Sequence, residues 1–234
     1  MTTPEPQLRI NGLGVERGGR PVLLGLDMSL PRGKFLAIEG RSGVGKTSLL
    51  SCLSGMLEPA EGGISYRCLQ GCEHSPVQYR HRIGCVFQHF ALAPNATVKT
   101  NVLCGLLSQR SAVRTLFGFP RADHRLAEEL LEKLGIAHLA DQPVSRISGG
   151  ERQRTAVARA LISRPECLLA DEPVSNLNPE LARQVLGLLK AHCAETSCTV
   201  ICALHDPDLC EEFSDFRLRL GGGRDWELSP APAK

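Results

Sequence analysis

The stretch Gly40-Arg41-Ser42-Gly43-Val44-Gly45-Lys46-Thr47-Ser48 has residue types suited to holding phosphate, at the spacing G-x-x-x-x-G-K-[ST]. A nucleotide tail carries several negative charges close together. A loop whose backbone N–H groups converge can surround such a tail, and side chains would obstruct the approach, so glycine is used. Lys46 adds a point charge for the outer phosphates. The Thr47 hydroxyl is an oxygen ligand suited to Mg2+. A helix opening near Lys46 would aim its positive end at the same anion, with Ser48 in its first turn. The plain alternative is a glycine-rich turn that ends by chance in Lys-Thr. The flanks argue against it: Phe35-Leu36-Ala37-Ile38-Glu39 reads as a short buried strand, and Ser48-Leu49-Leu50-Ser51-Cys52-Leu53 continues as an apolar-rich helix.

Other chemically capable residues stand just after short apolar runs. Residues 35–38, 83–87, 167–170 and 199–203 are apolar nearly throughout, as interior parallel strands are. They lead to Gly40, to Gln88, to Asp171-Glu172 and, through Leu204, to His205. Ligands of open parallel sheets bind beyond the carboxyl ends of the strands, so four separate segments are expected to deliver polar groups to one edge. Phosphoryl transfer to water needs charge neutralisation, a metal and an oriented nucleophile. Asp171 fits a carboxylate acting on Mg2+, usually through water. Glu172, one residue further and aimed differently, is the candidate general base. Gln88 could touch Mg2+ or the attacking water, and His205 could hydrogen-bond the γ-phosphate. The expected catalytic residues are therefore Glu172, His205 and Lys46, and the expected metal-binding residues are Thr47, Gln88 and Asp171. Taken alone, His205 or Glu172 would read as an ordinary surface residue.

The elements that must position these residues follow from the rest of the pattern. The chain has 234 residues, 42% hydrophobic and 22% charged, which is ordinary for a globular protein and allows one large domain. A formal net charge of +2 supplies no basic field for nucleic acid. Residues 1–7 are polar without an apolar signal core, so secretion is not expected, and no apolar run approaches the length of a membrane span. Residues 8–31 read as short strands with turns at Gly18-Gly19 and Pro31-Arg32-Gly33. Residues 58–82 read as an irregular surface connection. From 97 to 142 the period becomes helical: Val98, Val102, Leu103, Leu106 and Leu107 recur at helical spacing, and Pro120 opens a second helix with Leu126, Leu130, Leu131 and Leu134 on one face and Gly135 as its stop. The Pro/Ala-rich tail from Ser229 to Lys234 reads as disordered. The ten cysteines read as reduced thiols, because Cys85, Cys167 and Cys202 sit inside strand-like runs. Cys68 and Cys72, with His74 and His81 nearby, raise a metal site, but their spacing is loose and no second Cys pair follows.

One further segment adds a family. Ile147-Ser148-Gly149-Gly150-Glu151-Arg152-Gln153-Arg154 resembles the ABC ATPase signature, usually written LSGGQ. It is followed in order by Cys167-Leu168-Leu169-Ala170-Asp171-Glu172-Pro173 and Ser175-Asn176-Leu177-Asn178-Pro179, and the spacings from Ser148 to Asp171 and from Glu172 to His205 also look like the family's. The resemblance covers residues 8–221. It implies an α/β P-loop NTPase fold of ABC type: a mostly parallel sheet core, an N-terminal antiparallel β subdomain and an inserted helical subdomain. The whole chain, 1–234, would be one ABC ATPase domain. Its nucleotide-binding core would be 8–96 and 145–221, its helical insertion 97–144, and its tail 222–234. Backbone N–H groups and a hydroxyl at the start of a helix opening at Glu151 can bind γ-phosphate. In this family Ser148, Gly149, Gly150 and Glu151 would serve the nucleotide of an opposing subunit. The cofactors implied are ATP and Mg2+. The partners implied are a second copy of the chain, integral membrane permease subunits and, indirectly, a periplasmic solute-binding protein, with no nucleic acid. The chain would sit peripherally on the cytoplasmic face of the inner membrane.

Finer stretches, Val86-Phe87-Gln88-His89-Phe90-Ala91-Leu92, Arg114-Thr115-Leu116-Phe117-Gly118-Phe119 and Leu134-Gly135-Ile136-Ala137-His138-Leu139-Ala140, are similar to the phosphonate importer ATPase subunits. That likeness implies an ATP-hydrolysing subunit of an importer for phosphonate or a related phosphorus oxyanion. It also implies membrane-subunit docking near Phe117 and Phe119, against a plain reading of helix-end packing. The alternatives are an exporter or lipoprotein-release ATPase, and a soluble accessory of a phosphonate-cleaving enzyme complex. Three features depart from the family pattern: Asn178 stands where Asp is usual, Glu151 replaces the signature Gln, and residues 16–20 lack an aromatic for adenine, leaving Arg17 or Arg20 to stack instead.

Overall fold

The computed structural model describes residues 6–110 and 118–231. In chain order the elements are β1 (Leu8–Arg17), β2 (Arg20–Leu30), β3 (Phe35–Gly40), α1 (Lys46–Leu53), β4 (Glu61–Arg67), β5 (Glu73–His74), α2 (Pro76–Tyr79), β6 (Ile83–Val86), α3 (Val98–Leu103), α4 (Arg121–Lys133), α5 (Gly149–Leu161), β7 (Cys167–Asp171), α6 (Pro179–Thr196), β8 (Thr199–Ala203), α7 (Pro207–Phe213), β9 (Phe216–Gly222) and β10 (Asp225–Pro230). They build an antiparallel sheet in the order β2-β1-β4-β5 and a larger sheet in the order β10-β9-β3-β8-β7-β6. In the larger sheet all neighbours are parallel except β10, which runs antiparallel to β9.

The apolar runs become strands covered on both faces, and their alternate residues serve two cores. Phe35, Ala37, Leu168, Ala170, Val200 and Cys202 pack with α3, α4, α5, α6 and α7. Leu36, Ile38, Leu169, Ile201 and Ala203 pack with α1 and the inner face of the antiparallel sheet. Each fully buried aliphatic side chain contributes about 1.5–3 kcal/mol, so a central strand is fixed from both sides. The helices between 97 and 142 share the first of these cores with the sheet. Leu107 lies outside it, at 47% exposure, because α3 ends at Leu103 and the chain tightens into 3-10 turns through Gln109.

Three expectations are corrected. The connection expected to be irregular at 58–82 carries β4, β5 and α2. Ile64 and Tyr66 point inward between half-buried Ser65 and Arg67, and Gly62-Gly63 obscures that alternation in the sequence. Residues 8–31 form two long paired strands rather than several short ones: the turns fall at Gly18-Gly19 and Arg32-Gly33 as expected, and the irregular register between Ile10 and Glu16 breaks the alternation that would have marked β1 as one strand. The tail is ordered at Ser229 and Pro230, which lie in β10, and the Ala231 N–H donates to the Asp215 carbonyl at 2.9 Å. Trp226 and Leu228 of this strand pack against the second core, which offsets the polar composition around them. Of the segment 114–119, residues 114–117 lie outside the described residues. Phe119 is half-buried against the first core.

Candidate functional site

Strand register brings the expected residues to one edge. Ile38 of β3 lies opposite Ala203 of β8, Ala203 lies opposite Asp171 of β7, and Ala170 lies opposite Val86 of β6. Ile38, Ala203 and Asp171 thus form a row at the carboxyl ends. Gly40, His205, Glu172 and Gln88 follow one or two positions beyond it.

The phosphate loop leaves β3 at Gly40 and enters α1 at Lys46. Gly45 caps the helix at φ +117°, a backbone state that L-residues rarely adopt, and Gly43 holds φ +81° beside open space. Arg41, Ser42 and Gly43 are exposed, Val44 is half-buried, and Ser48 is buried in the first turn of α1. The Lys46 ammonium, 5% exposed, donates to the Gly40 carbonyl at 2.8 Å and the Arg41 carbonyl at 3.3 Å, across the loop. The Thr47 hydroxyl donates to Asp171 Oδ2 at 2.8 Å. Asp171 Oδ1 is buried without a hydrogen-bond partner. Desolvation raises the Asp171 carboxyl pKa, opposed by the Thr47 hydrogen bond and reinforced by neighbouring Glu172, with Lys46 and His205 also close enough to act on it. Two hard oxygens, one of them unsatisfied, are what a divalent cation would complete.

Glu172 sits at φ +53°, strained for a residue with a Cβ by about 1–3 kcal/mol. Its N–H donates to the Ala203 carbonyl at 3.2 Å, and its carboxylate Oε1 lies 2.5 Å from His205 Nε2. Glu172 is largely enclosed and His205 is half exposed, so the pair opens to the edge of the sheet from its histidine side. In this structure His205 therefore touches the candidate base itself.

Two residues that the sequence reading did not single out hold this region from α5. Gln153 is fully buried. Its Nε2 donates to the Glu172 carbonyl at 2.8 Å, and its Oε1 accepts from the Asn176 N–H at 3.3 Å. Gln153, Ala156, Val157 and Ala160 share the buried face of the helix, so a long polar side chain at that spacing is the signal that could have found it. Arg159 donates to the carbonyls of Phe90 at 2.5 Å and Ala91 at 2.6 Å, both residues at positive φ in the loop after Gln88. Asn101 closes the same loop by exchanging hydrogen bonds with Ala93 at 2.7 and 3.0 Å. Gln88 itself is exposed at the start of that loop.

The signature helix α5 opens at Gly149, two residues before Glu151, where it was expected to start. Ser148 is its N-cap. The reason is a capping box: the Glu151 N–H donates to Ser148 Oγ at 3.3 Å, and the Ser148 N–H donates to Glu151 Oε2 at 2.7 Å. Those bonds lower the Glu151 carboxyl pKa. Gly150 packs against Leu177 in the loop after β7, where a Cβ would come within 3.0 Å. Asn178 ends that loop by capping α6, accepting from the Leu181 N–H at 2.8 Å. Among the described residues no hydrogen bond joins 148–151 to the phosphate loop of the same chain. The structure thus gathers Lys46, Thr47, Asp171, Glu172 and His205 and sets Gln88 on the same edge, while the signature helix reaches this group through Gln153. Arg17 and Arg20 face each other at the exposed tip of the β1–β2 hairpin.

Known proteins are similar to this chain in sequence and fold. A family model described as ABC transporter matches residues 23–175. The phosphonates import ATP-binding protein PhnC 2 of Nostoc is 38% identical over 205 residues, covering 88% of this chain and 84% of that one. The hypophosphite import ATP-binding protein HtxD of Stutzerimonas stutzeri is 40% identical over 223 residues, covering 93% of this chain and 64% of its own length. Among solved structures, cbiO1 of Clostridium perfringens, part of the ABC transporter complex cbiONQ, superposes with a TM-score of 0.78 at 29% identity, covering 97% of this chain and 89% of that one. A phosphate loop, a capped signature helix and a strand-end carboxylate pair in this order, matched over most of the chain, make the protein a member of the ABC transporter family, as one of its ATPase domains.

Proposed function

We propose that the chain, an ATP-hydrolysing member of its family, powers an importer for phosphonate or a closely related phosphorus oxyanion. The observation that supports the chemistry best is the double pairing at the strand ends, Thr47 with Asp171 and Glu172 with His205, beside Lys46. The names of the similar proteins, phosphonates import and hypophosphite import, support the cargo.

In this reading the N–H groups of residues 40–48 and the Lys46 ammonium hold the phosphates. Thr47 and Asp171, with Gln88 nearby, would hold Mg2+, which when bound supplies charge neutralisation at the phosphate oxygens. Glu172 accepts a proton from the attacking water, and His205 orients it. The strained turn at Glu172 aims its carboxylate along a different line from that of Asp171, so one carboxylate serves the metal and the other the water. Ser148, Gly149, Gly150 and Glu151 stand away from the chain's own phosphate loop and would complete the site of a second copy. ATP then favours the closed dimer and hydrolysis releases it.

Among the described residues no helix is long and apolar enough to cross a membrane, so transport requires a membrane subunit. We place its contact at a cleft of about 400 Å3 between the end of α1 and the loop after Gln88, where Phe87, Ala91, Cys104 and Gly105 line the wall and Met56 is 60% exposed. That position is peripheral, on the cytoplasmic face of the inner membrane. The test is the ATPase rate of the complex recovered from detergent extract and reconstituted with a solute-binding protein. Phosphonate or hypophosphite should stimulate it. Recovery of soluble enzyme subunits alone, or stimulation only by lipoprotein, would replace the importer reading.

A further inference from the structure

The ten cysteines fall into two kinds. Most are packed in the cores, and burial pushes their thiols up: Cys52 and Cys85 to about 11, Cys198 and Cys210 to about 12. Such thiols are inert. Cys68 and Cys72 differ: Cys72 is exposed, and Cys68, although buried in the second core, has its thiol pKa lowered rather than raised. Arg67 of β4 pairs with Glu73 of β5, so Cys68 and Cys72 form the next rung of the same hairpin. The Cys68 N–H donates to the Cys72 carbonyl at 2.9 Å, and the Gly71 N–H donates to the Cys68 carbonyl at 2.9 Å. Gly71, at φ +84°, closes the three-residue loop between them.

Opposed residues of an antiparallel pair have Cα atoms about 4.5–5.5 Å apart. A disulfide needs roughly 4.4–6.8 Å. The two thiols are within hydrogen-bonding reach of each other. Cys72 is exposed and Cys68 is buried behind it. Desolvation opposes ionisation of Cys68, but hydrogen bonds from the loop at Cys72 and Gln70, and the charge of Arg82, outweigh it and lower its pKa. Among the described residues no group of three or more His, Cys, Asp or Glu could hold a metal ion.

We propose that Cys68 and Cys72 are a modification site that closes to a reversible intramolecular disulfide on reaction with a hydroperoxide. The exposed Cys72 sulfur attacks the peroxide, the O–O bond breaks, and Cys72 becomes a sulfenic acid while the proton given up by its thiol leaves with the other oxygen as water or alcohol. The Cys68 thiolate attacks that sulfur, the S–S bond forms, and the S–O bond breaks with loss of hydroxide, which takes up a proton. Two thiols give up two electrons and the peroxide is reduced. The loop lies at the end of the sheet remote from the phosphate loop: the Leu69 N–H donates to Glu166 Oε2 at 3.1 Å, and Glu166 immediately precedes β7, whose far end carries Asp171.

The test uses the reduced full chain treated with a small excess of hydrogen peroxide. Free-thiol titration should fall by two, and peptide mass analysis should place the lost hydrogens on the fragment holding residues 68–72, with recovery by dithiothreitol. Cys68→Ser should instead leave Cys72 as a sulfenic acid that dimedone traps, and Cys72→Ser should leave Cys68 unoxidised over the same interval. Oxidation that begins at other cysteines, a disulfide between two chains, or Cys72 passing to sulfinic acid in the unaltered chain would each overturn the proposal.

Discussion

The two ends of β7 carry carboxylates in opposite circumstances. At the amino end, the Glu166 side chain accepts from Arg32 at 3.0 Å, the Tyr79 hydroxyl at 2.9 Å, the Leu69 N–H at 3.1 Å and Arg82. At the carboxyl end, Asp171 has one oxygen on Thr47 and the other on nothing. Desolvation acts against both charges. At Glu166 the donors outweigh it and lower the pKa, whereas at Asp171 it prevails and raises the pKa. A fold needs a satisfied charge, and a binding site needs an unsatisfied one. The contrast across one five-residue strand, from the residue just before it to its last, separates what holds the sheet from what the sheet is for.

The sharpest way to break the comparison is Glu166→Ala, which removes the carboxylate that pairs Arg32 and Arg82 and accepts from the buried Tyr79 hydroxyl. It should cost about 3 kcal/mol in denaturant unfolding, while nucleotide affinity of the folded fraction stays unchanged. Lys46→Ala should do the reverse, with unfolding nearly unaltered and ATP affinity down by roughly 30–100-fold in titration calorimetry. Gln153→Met removes the hydrogen bond to the strained Glu172 carbonyl. It should lower kcat about tenfold with ATP Kd unchanged, and should have no further effect when Glu172 is already Gln. The smallest effect has the opposite sign: Asp171→Asn should stabilise the nucleotide-free chain by about 1 kcal/mol while abolishing metal-dependent hydrolysis.

Acid titration sharpens the same contrast. Glu166 has a lowered folded pKa, so its contribution is complete above the ordinary carboxylate range and is lost as pH falls through the folded value. Asp171 has a raised folded pKa, so its contribution is fully present below the ordinary value and is lost as pH rises through the folded one. Glu166→Gln should therefore flatten the acid limb of the stability curve, and Asp171→Asn should steepen it.

What was legible in the sequence was whatever burial on both faces had spelled out. The runs ending at Ile38, Val86, Ala170 and Ala203 are continuously apolar because helices or a second sheet cover each side. The residues after them were found because chain direction alone fixes where a parallel strand ends. β4 was missed because only Ile64 and Tyr66 are inward in a run opened by two glycines. β10 was missed because Pro230 and the Ala-rich end mask the alternation of Trp226 and Leu228. The start of α5 was misplaced by two residues, although Ser148 and Glu151 already spell a capping box. The Glu172 backbone strain and the Arg159 grip on Phe90 and Ala91 have no local signature, because tertiary packing imposes both.

The central claim is that Glu172, held by His205 and Gln153 at the strand ends, takes the proton of the attacking water. Glu172→Gln keeps the shape and removes the base. With ATP affinity measured on the same protein, hydrolysis should slow by roughly 10²-fold or more while binding is retained. Unchanged turnover with ATP bound would contradict the account.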